Sequence, residues 1–189
     1  ILVSSKSIYL DGNTPIVSVP VTQSTAFIVR AVNDAPTITA SNVVGAITEG
    51  VDLVDSGSIT FTDVDLTDSP EASNAVKSLV ALKADGTSLA LTSGQRDLIM
   101  AGFSIQQDSP RINNGKVDWN YTLEESSIDF LAENETVTLI ETITVDDGKE
   151  GEVTQDVTIT ITGTNDIPVL NGEGEGISGV EDTDINLDI

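Results

Sequence analysis

The sequence predicts an all-β fold, an antiparallel Greek-key sandwich with one short helix. Three observations predict it. Several segments alternate apolar and polar residues with period 2, the pattern of half-buried strands. Turn signals separate them about every ten residues. No strand–helix–strand alternation is present, so a parallel sheet is not expected.

Taken in order, residues 7–10 form a strand leading into the turn signal Asp11-Gly12, and residues 16–21 and 25–29 follow as strands. Pro36 disfavours helix at 33–36, and residues 37–40 begin the next strand. Ile59-Thr60-Phe61-Thr62 alternates and runs into Asp63-Val64-Asp65-Leu66-Thr67-Asp68, which is too rich in carboxylates for a strand interior. Residues 78–83 and 88–91 read as two strands around Asp85-Gly86. Thr92 or Ser93 can cap a helix that Gly102 stops, so the one helix is placed within 92–102. Residues 113–123 put Val117, Trp119, Tyr121 and Leu123 on one face. Residues 136–145 and 153–162 form a hairpin around Asp147-Gly148. The single Trp119 reads as a core anchor between sheets.

The chain repeats itself. Ala-Val-Asn-Asp-Ala-Pro at 31–36 returns as Gly-Thr-Asn-Asp-Ile-Pro at 163–168, with Asn33 and Asn165 132 positions apart. At the same offset Glu49 meets Glu181, Asp52 meets Asp184, and Val21-Thr22-Gln23 meets Val153-Thr154-Gln155. Fixed-period similarity marks repeat architectures, and this period is that of a whole domain. The expected organisation is the last strands of one repeat in residues 1–32, a complete repeat in 33–164, and a linker with the start of another in 165–189. The chain is accordingly read as an excerpt of a longer polypeptide.

Composition narrows the function. Eight Lys and Arg face 31 Asp and Glu, for a net charge of −23. Such a chain repels nucleic acid and anionic membranes and attracts cations. No apolar run approaches the length of a membrane span. There is no cysteine to form a disulfide, and no histidine to act as general base or transition-metal ligand.

The carboxylates cluster, and the clusters are Asn33-Asp34 with its counterpart Asn165-Asp166, Glu49, Asp63-x-Asp65 with Asp68, Asp146-Asp147-Gly148, and Glu133-Asn134-Glu135. Each alone is a solvated turn or surface charge. Their joint occurrence at domain spacing is what points to metal. Calcium takes six to eight oxygen ligands in flexible geometry, which these residues can supply. Magnesium demands a stricter octahedron, and zinc or copper prefer His and Cys. On an extended strand end, Asp63 and Asp65 would face the same side.

The order of these signals resembles a cadherin-type repeat, and more closely the VCBS and cadherin-like repeats of giant bacterial RTX-type surface adhesins. The stretches that carry the resemblance are Ser58-Ile-Thr-Phe-Thr-Asp-Val-Asp65, Gly115-Lys-Val-Asp-Trp-Asn-Tyr121, Phe130-Leu-Ala-Glu-Asn-Glu135 and Ile159-Thr-Ile-Thr-Gly-Thr-Asn-Asp166. The resemblance implies an Ig-like or cadherin-like sandwich with Ca2+ at repeat junctions. One junction would join Asn33 and Asp34 with Asp63, Asp65, Asp146 and Asp147. The other would join Asn165 and Asp166 with Glu49 and with Glu133 or Glu135. The Asp-Arg-Glu motif of cadherins is replaced here by Ala132-Glu133-Asn134-Glu135.

The function this implies is a calcium-rigidified extender of a secreted cell-surface adhesin, serving cell adhesion or biofilm formation. Its partners would be neighbouring repeats of the same chain or other copies of the protein, without nucleic acid or membrane insertion. Two alternatives stand beside it. A filament subunit could assemble by strand addition through its flanking fragments. A glycan-binding module could use Trp119, Tyr9 or Tyr121, provided Trp119 is exposed. No motif singles out a catalytic carboxylate pair, so an enzyme is not expected.

Overall fold

The computed structural model describes residues 3–5, 8–11, 14–17, 21–23, 30–109 and 112–167. The chain divides into two compact units, Ile1–Asn33 and Asp34–Ile189. In the first, strands β1 (Val3–Ser5) and β4 (Val21–Gln23) pair antiparallel, as do β2 (Ile8–Asp11) and β3 (Thr14–Val17). The strand expected at 25–29 and the repeat start expected beyond residue 167 lie outside the described residues.

The second unit is a sandwich of two four-stranded sheets with an Ig-like layout. One sheet is ordered β5 (Thr37–Ser41), β7 (Val54–Thr62), β10 (Asn114–Thr122) and β9 (Phe103–Gln107). The other is ordered β6 (Val44–Thr48), β12 (Glu152–Thr162), β11 (Thr136–Asp146) and β8 (Glu71–Leu82). All pairings are antiparallel except β6 with β12. Helix α1 (Ser93–Ala101) starts on a capping box in which the Thr92 hydroxyl and the Gln95 amide each satisfy the other's backbone N–H.

Alternation builds the core. Ile59 and Phe61 of β7, Val117, Trp119 and Tyr121 of β10, Val137, Leu139, Ile143 and Val145 of β11, and Val157, Ile159 and Ile161 of β12 are all buried. Trp119 is 0% exposed, donates its Nε1–H to Asn42 O at 2.7 Å, and stacks on Phe103 at 6.2 Å between centroids. Glycine makes room for it on both sheets. A Cβ at Gly57 of β7 would lie 2.6 Å from the indole, and one at Gly45 of β6 would lie 3.0 Å from it.

Three expected elements differ. The strand expected at 59–62 already begins at Val54, where it pairs with β10. Residues 88–91 make only a bridge, Leu82 with Ser88, because the Asp85-Gly86 turn folds back for a single rung. Strand β8 begins at Glu71, well before residue 78, because β11 offers a full ladder for it to pair with. β8 is an edge strand, and Lys77 bulges out between Ser78 and Val76 to pair with Asp156. A charged bulge blunts a free edge against strand addition.

Glu141 occupies an inward position of β11 where its neighbours are aliphatic. Asn74 Nδ2 donates to its Oε2 at 3.1 Å, yet burial raises its pKa above the ordinary 4.5. A raised folded pKa means the native state holds the proton more tightly. The stability Glu141 contributes is therefore complete below pH 4.5 and lost as pH rises through the higher folded value. Glu141→Gln is expected to raise the melting temperature at pH 7 and to flatten its fall as pH rises above 4.5. Scanning calorimetry across that pH range checks it.

Candidate metal centres at the two ends of the sandwich

Strand parity aims the first group. In β7, Ile59 and Phe61 point inward, so Asp63 does too, and it is 5% exposed. In β11, Val145 points in, Asp146 points out, and Asp147 is again inward at 5% exposed. Asp68, in the loop after β7, is 3% exposed. One carboxylate oxygen from each of Asp63, Asp68 and Asp147 lies within 4.8 Å of the others.

The surrounding backbone holds this triad in place. Asp63 Oδ1 accepts from Asp65 N at 2.8 Å, and Asp68 N donates to Asp65 O at 3.0 Å, so the loop curls and brings Asp68 inward. That curl, in place of the extended geometry expected for Asp63-x-Asp65, leaves Asp65 half-buried. Its Oδ2 accepts from Asp34 N at 2.8 Å. Asp147 Oδ1 accepts from Lys149 N at 2.6 Å and Gly151 N at 3.1 Å. Lys149 Nζ reaches Asp68 Oδ1, and this contact, with the charges of Asp65 and Asp147, raises the lysine pKa.

Two oxygens of the triad, Asp63 Oδ2 and Asp68 Oδ2, are buried without a hydrogen-bond partner. A buried carboxylate oxygen left unpaired is costly. The donors are all oxygen, as a hard divalent cation requires. Calcium therefore fits these residues, with Asp63, Asp68 and Asp147 as the side chains that could hold it.

Gly151 sets the spacing. A Cβ there would lie 2.1 Å from Asp147 Oδ2 and 2.9 Å from the Ala35 Cα. Gly151→Ala is expected to push Asp147 out of the triad and to weaken calcium binding about tenfold, or 1.4 kcal/mol. Fluorescence titration with a calcium indicator as competitor checks it.

The second group sits at the other end. Glu49 follows β6, and its Oε2 accepts from Thr164 N at 2.7 Å while its Oε1 is buried and unpartnered. Glu125 and Asp129 approach it, each offering an oxygen within 4.8 Å of the others. They come from the short 3-10 turn Glu125–Ser127 and the residues after it. Burial, the charge of Asp166, and then those of Glu125 and Asp129 raise the Glu49 pKa, against the Thr164 N–H that lowers it. Gly50, at φ +69°, turns the chain beside Glu125.

The remaining expected residues lie elsewhere. Asp146 is exposed, and its Oδ1 caps Gly148 N at 2.7 Å in the hairpin turn. Glu135 Oε2 accepts from Ala132 N at 3.1 Å, bracing a turn whose backbone bonds Gly163, and Glu133 is exposed. Neither belongs to the Glu49 group. Asn33 and Asn165 are exposed, and Asp166, also exposed, is near enough for its charge to act on Glu49, as expected for that junction.

No family model and no curated protein matches the sequence. Solved structures with a similar fold include a PapD-like domain of human CEP192, at 12% identity and TM-score 0.42, covering 77% of this chain and 99% of that one. The Ig1-2 module of the Drosophila receptor tyrosine phosphatase DLAR matches at 16% identity and TM-score 0.36, covering 71% of this chain. This chain spans about half of that module, 53%. The Escherichia coli fimbrial subunit AggA matches at 13% identity and TM-score 0.34, covering 71% of this chain and 99% of that one. These likenesses concern fold alone.

Proposed function

We propose that this chain is a calcium-stiffened spacer of an extracellular adhesin, related to the cadherin-like and VCBS repeats of bacterial surface proteins. The observation that carries the reading is the buried triad Asp63, Asp68 and Asp147 with two unpartnered oxygens. Without a cation these carboxylates repel one another. Calcium offsets that repulsion and ties the β7–β8 loop to the β11–β12 turn. Asp65, on the same loop, holds Asp34 where the chain enters the sandwich. Glu49, bonded to Thr164, would do the same where the chain leaves it. Binding the folded state alone stabilises it by mass action.

Cell adhesion or biofilm formation is the setting such a spacer serves, at the cell surface and outside the cell. No helix among the described residues is long and apolar enough to cross a membrane. The glycan-binding alternative loses its main ring, since Trp119 is buried and bonded to Asn42. Calorimetric titration with calcium tests the proposal. The native chain is expected to bind with a dissociation constant of about 0.1–1 mM or tighter. The Asp63→Asn, Asp68→Asn double variant is expected to lose one site. Equal isotherms for the two proteins would refute the assignment.

A further inference from the structure

Among the described ion pairs, Lys149–Asp68 differs in kind from Lys77–Asp156 and Lys116–Asp118. In those two, both side chains are substantially exposed. In the third, the Asp68 side chain is fully buried while Lys149 remains about half exposed. The lysine is also fastened at both ends. Its backbone N–H donates to Asp147 Oδ1 and its ammonium sits on Asp68 Oδ1, so one residue bridges two members of the triad. The lysine lies in the β11–β12 turn between Gly148 at φ +76° and Glu150 at φ +74°.

We propose that Lys149 is a tethered counter-ion that competes with the divalent cation and sets the concentration at which the site fills. The inference rests on the reading of the triad as a calcium site and adds its regulation. Calcium and the ammonium both seek oxygens of Asp68. A divalent ion held by Asp63, Asp68 and Asp147 would lie beside a like charge unless Lys149 withdraws. The half-exposed side chain leaves a path into solvent. At low calcium the ammonium offsets part of the carboxylate repulsion and keeps the end of the sandwich closed. At high calcium it is displaced. Among the described ion pairs, none involves Glu49, Glu125 or Asp129.

The test compares the native chain with Lys149→Gln, using Lys116→Gln as a control at a pair outside the triad. Calcium chloride is titrated by calorimetry, and melting is measured in excess EGTA. Lys149→Gln is expected to tighten calcium binding roughly tenfold, while lowering the melting temperature in EGTA. Lys116→Gln should change neither affinity nor its calcium response. A Lys149→Gln variant that binds calcium no more tightly than the native chain overturns the proposal and leaves the site standing. A melting temperature in EGTA equal to or above the native value overturns it as well. If the native chain itself gives a flat isotherm, the site reading falls and the proposal falls with it.

Discussion

Replacing Trp119 by alanine is expected to cost the second unit roughly 3–5 kcal/mol, a large share of the stability of an ordinary domain. The indole fills the centre of the sandwich, with Phe103 stacked beside it and Gly57 and Gly45 leaving space for it from the two sheets. Truncation would leave a cavity bounded by residues that cannot collapse into it. Both glycines sit within strands, where filling the gap would require backbone movement. The Asn42 carbonyl would also lose its 2.7 Å donor. Chemical unfolding followed by circular dichroism reads the loss as a lower midpoint at unchanged slope. Trp119→Phe should cost less, because it keeps most of the buried area and loses mainly the hydrogen bond. A Trp119→Ala protein as stable as the native one would mean the two sheets are held by something other than this anchor.

Calcium at a hundredfold excess over its dissociation constant is expected to stabilise the same unit by about 2.7 kcal/mol per site. For a domain of this size that is a rise of roughly 5–15 °C in melting temperature. The effect should vanish in excess EGTA. The Asp63→Asn, Asp68→Asn variant carries the sharper form of the prediction. In calcium it should melt well below the native chain. In EGTA that deficit should close, because relief of the repulsion between two buried carboxylates offsets the lost Lys149–Asp68 pair. A variant that is merely damaged would melt lower under both conditions. A deficit confined to calcium is what separates a metal site from a structural acidic cluster.

Much of this fold was legible in the sequence because β10, β11, β12 and the second half of β7 alternate apolar and polar residues over most of their length. The helix was legible through Thr92 and Gly102, which are local signals. The first half of β8 was not. Glu-Ala-Ser-Asn-Ala has no β-branched residue, and it is extended because β11 lies alongside it. Strands β6 and β9 alternate in burial, but at five residues each the pattern is too short to mark them in the sequence.

The site divides in the same way. Asp63 and Asp147 could be read from strand parity carried one step past the strand end, and that parity also separates Asp147 from Asp146. Asp68 is drawn in by a loop whose curl depends on hydrogen bonds within Asp63–Asp68. Glu125 and Asp129 gave no usable signal, since their approach to Glu49 spans most of the domain. Sequence resemblance pointed instead to Glu133 and Glu135, where the backbone turn braces Gly163.

The most direct test of the central claim is a crystal of this chain grown in saturating calcium chloride and measured at a long wavelength for anomalous signal. The account predicts a calcium peak about 2.3–2.6 Å from oxygens of Asp63, Asp68 and Asp147, with Lys149 turned away from Asp68. A map with those three carboxylates ordered, Lys149 still on Asp68 and no anomalous peak among them would contradict it.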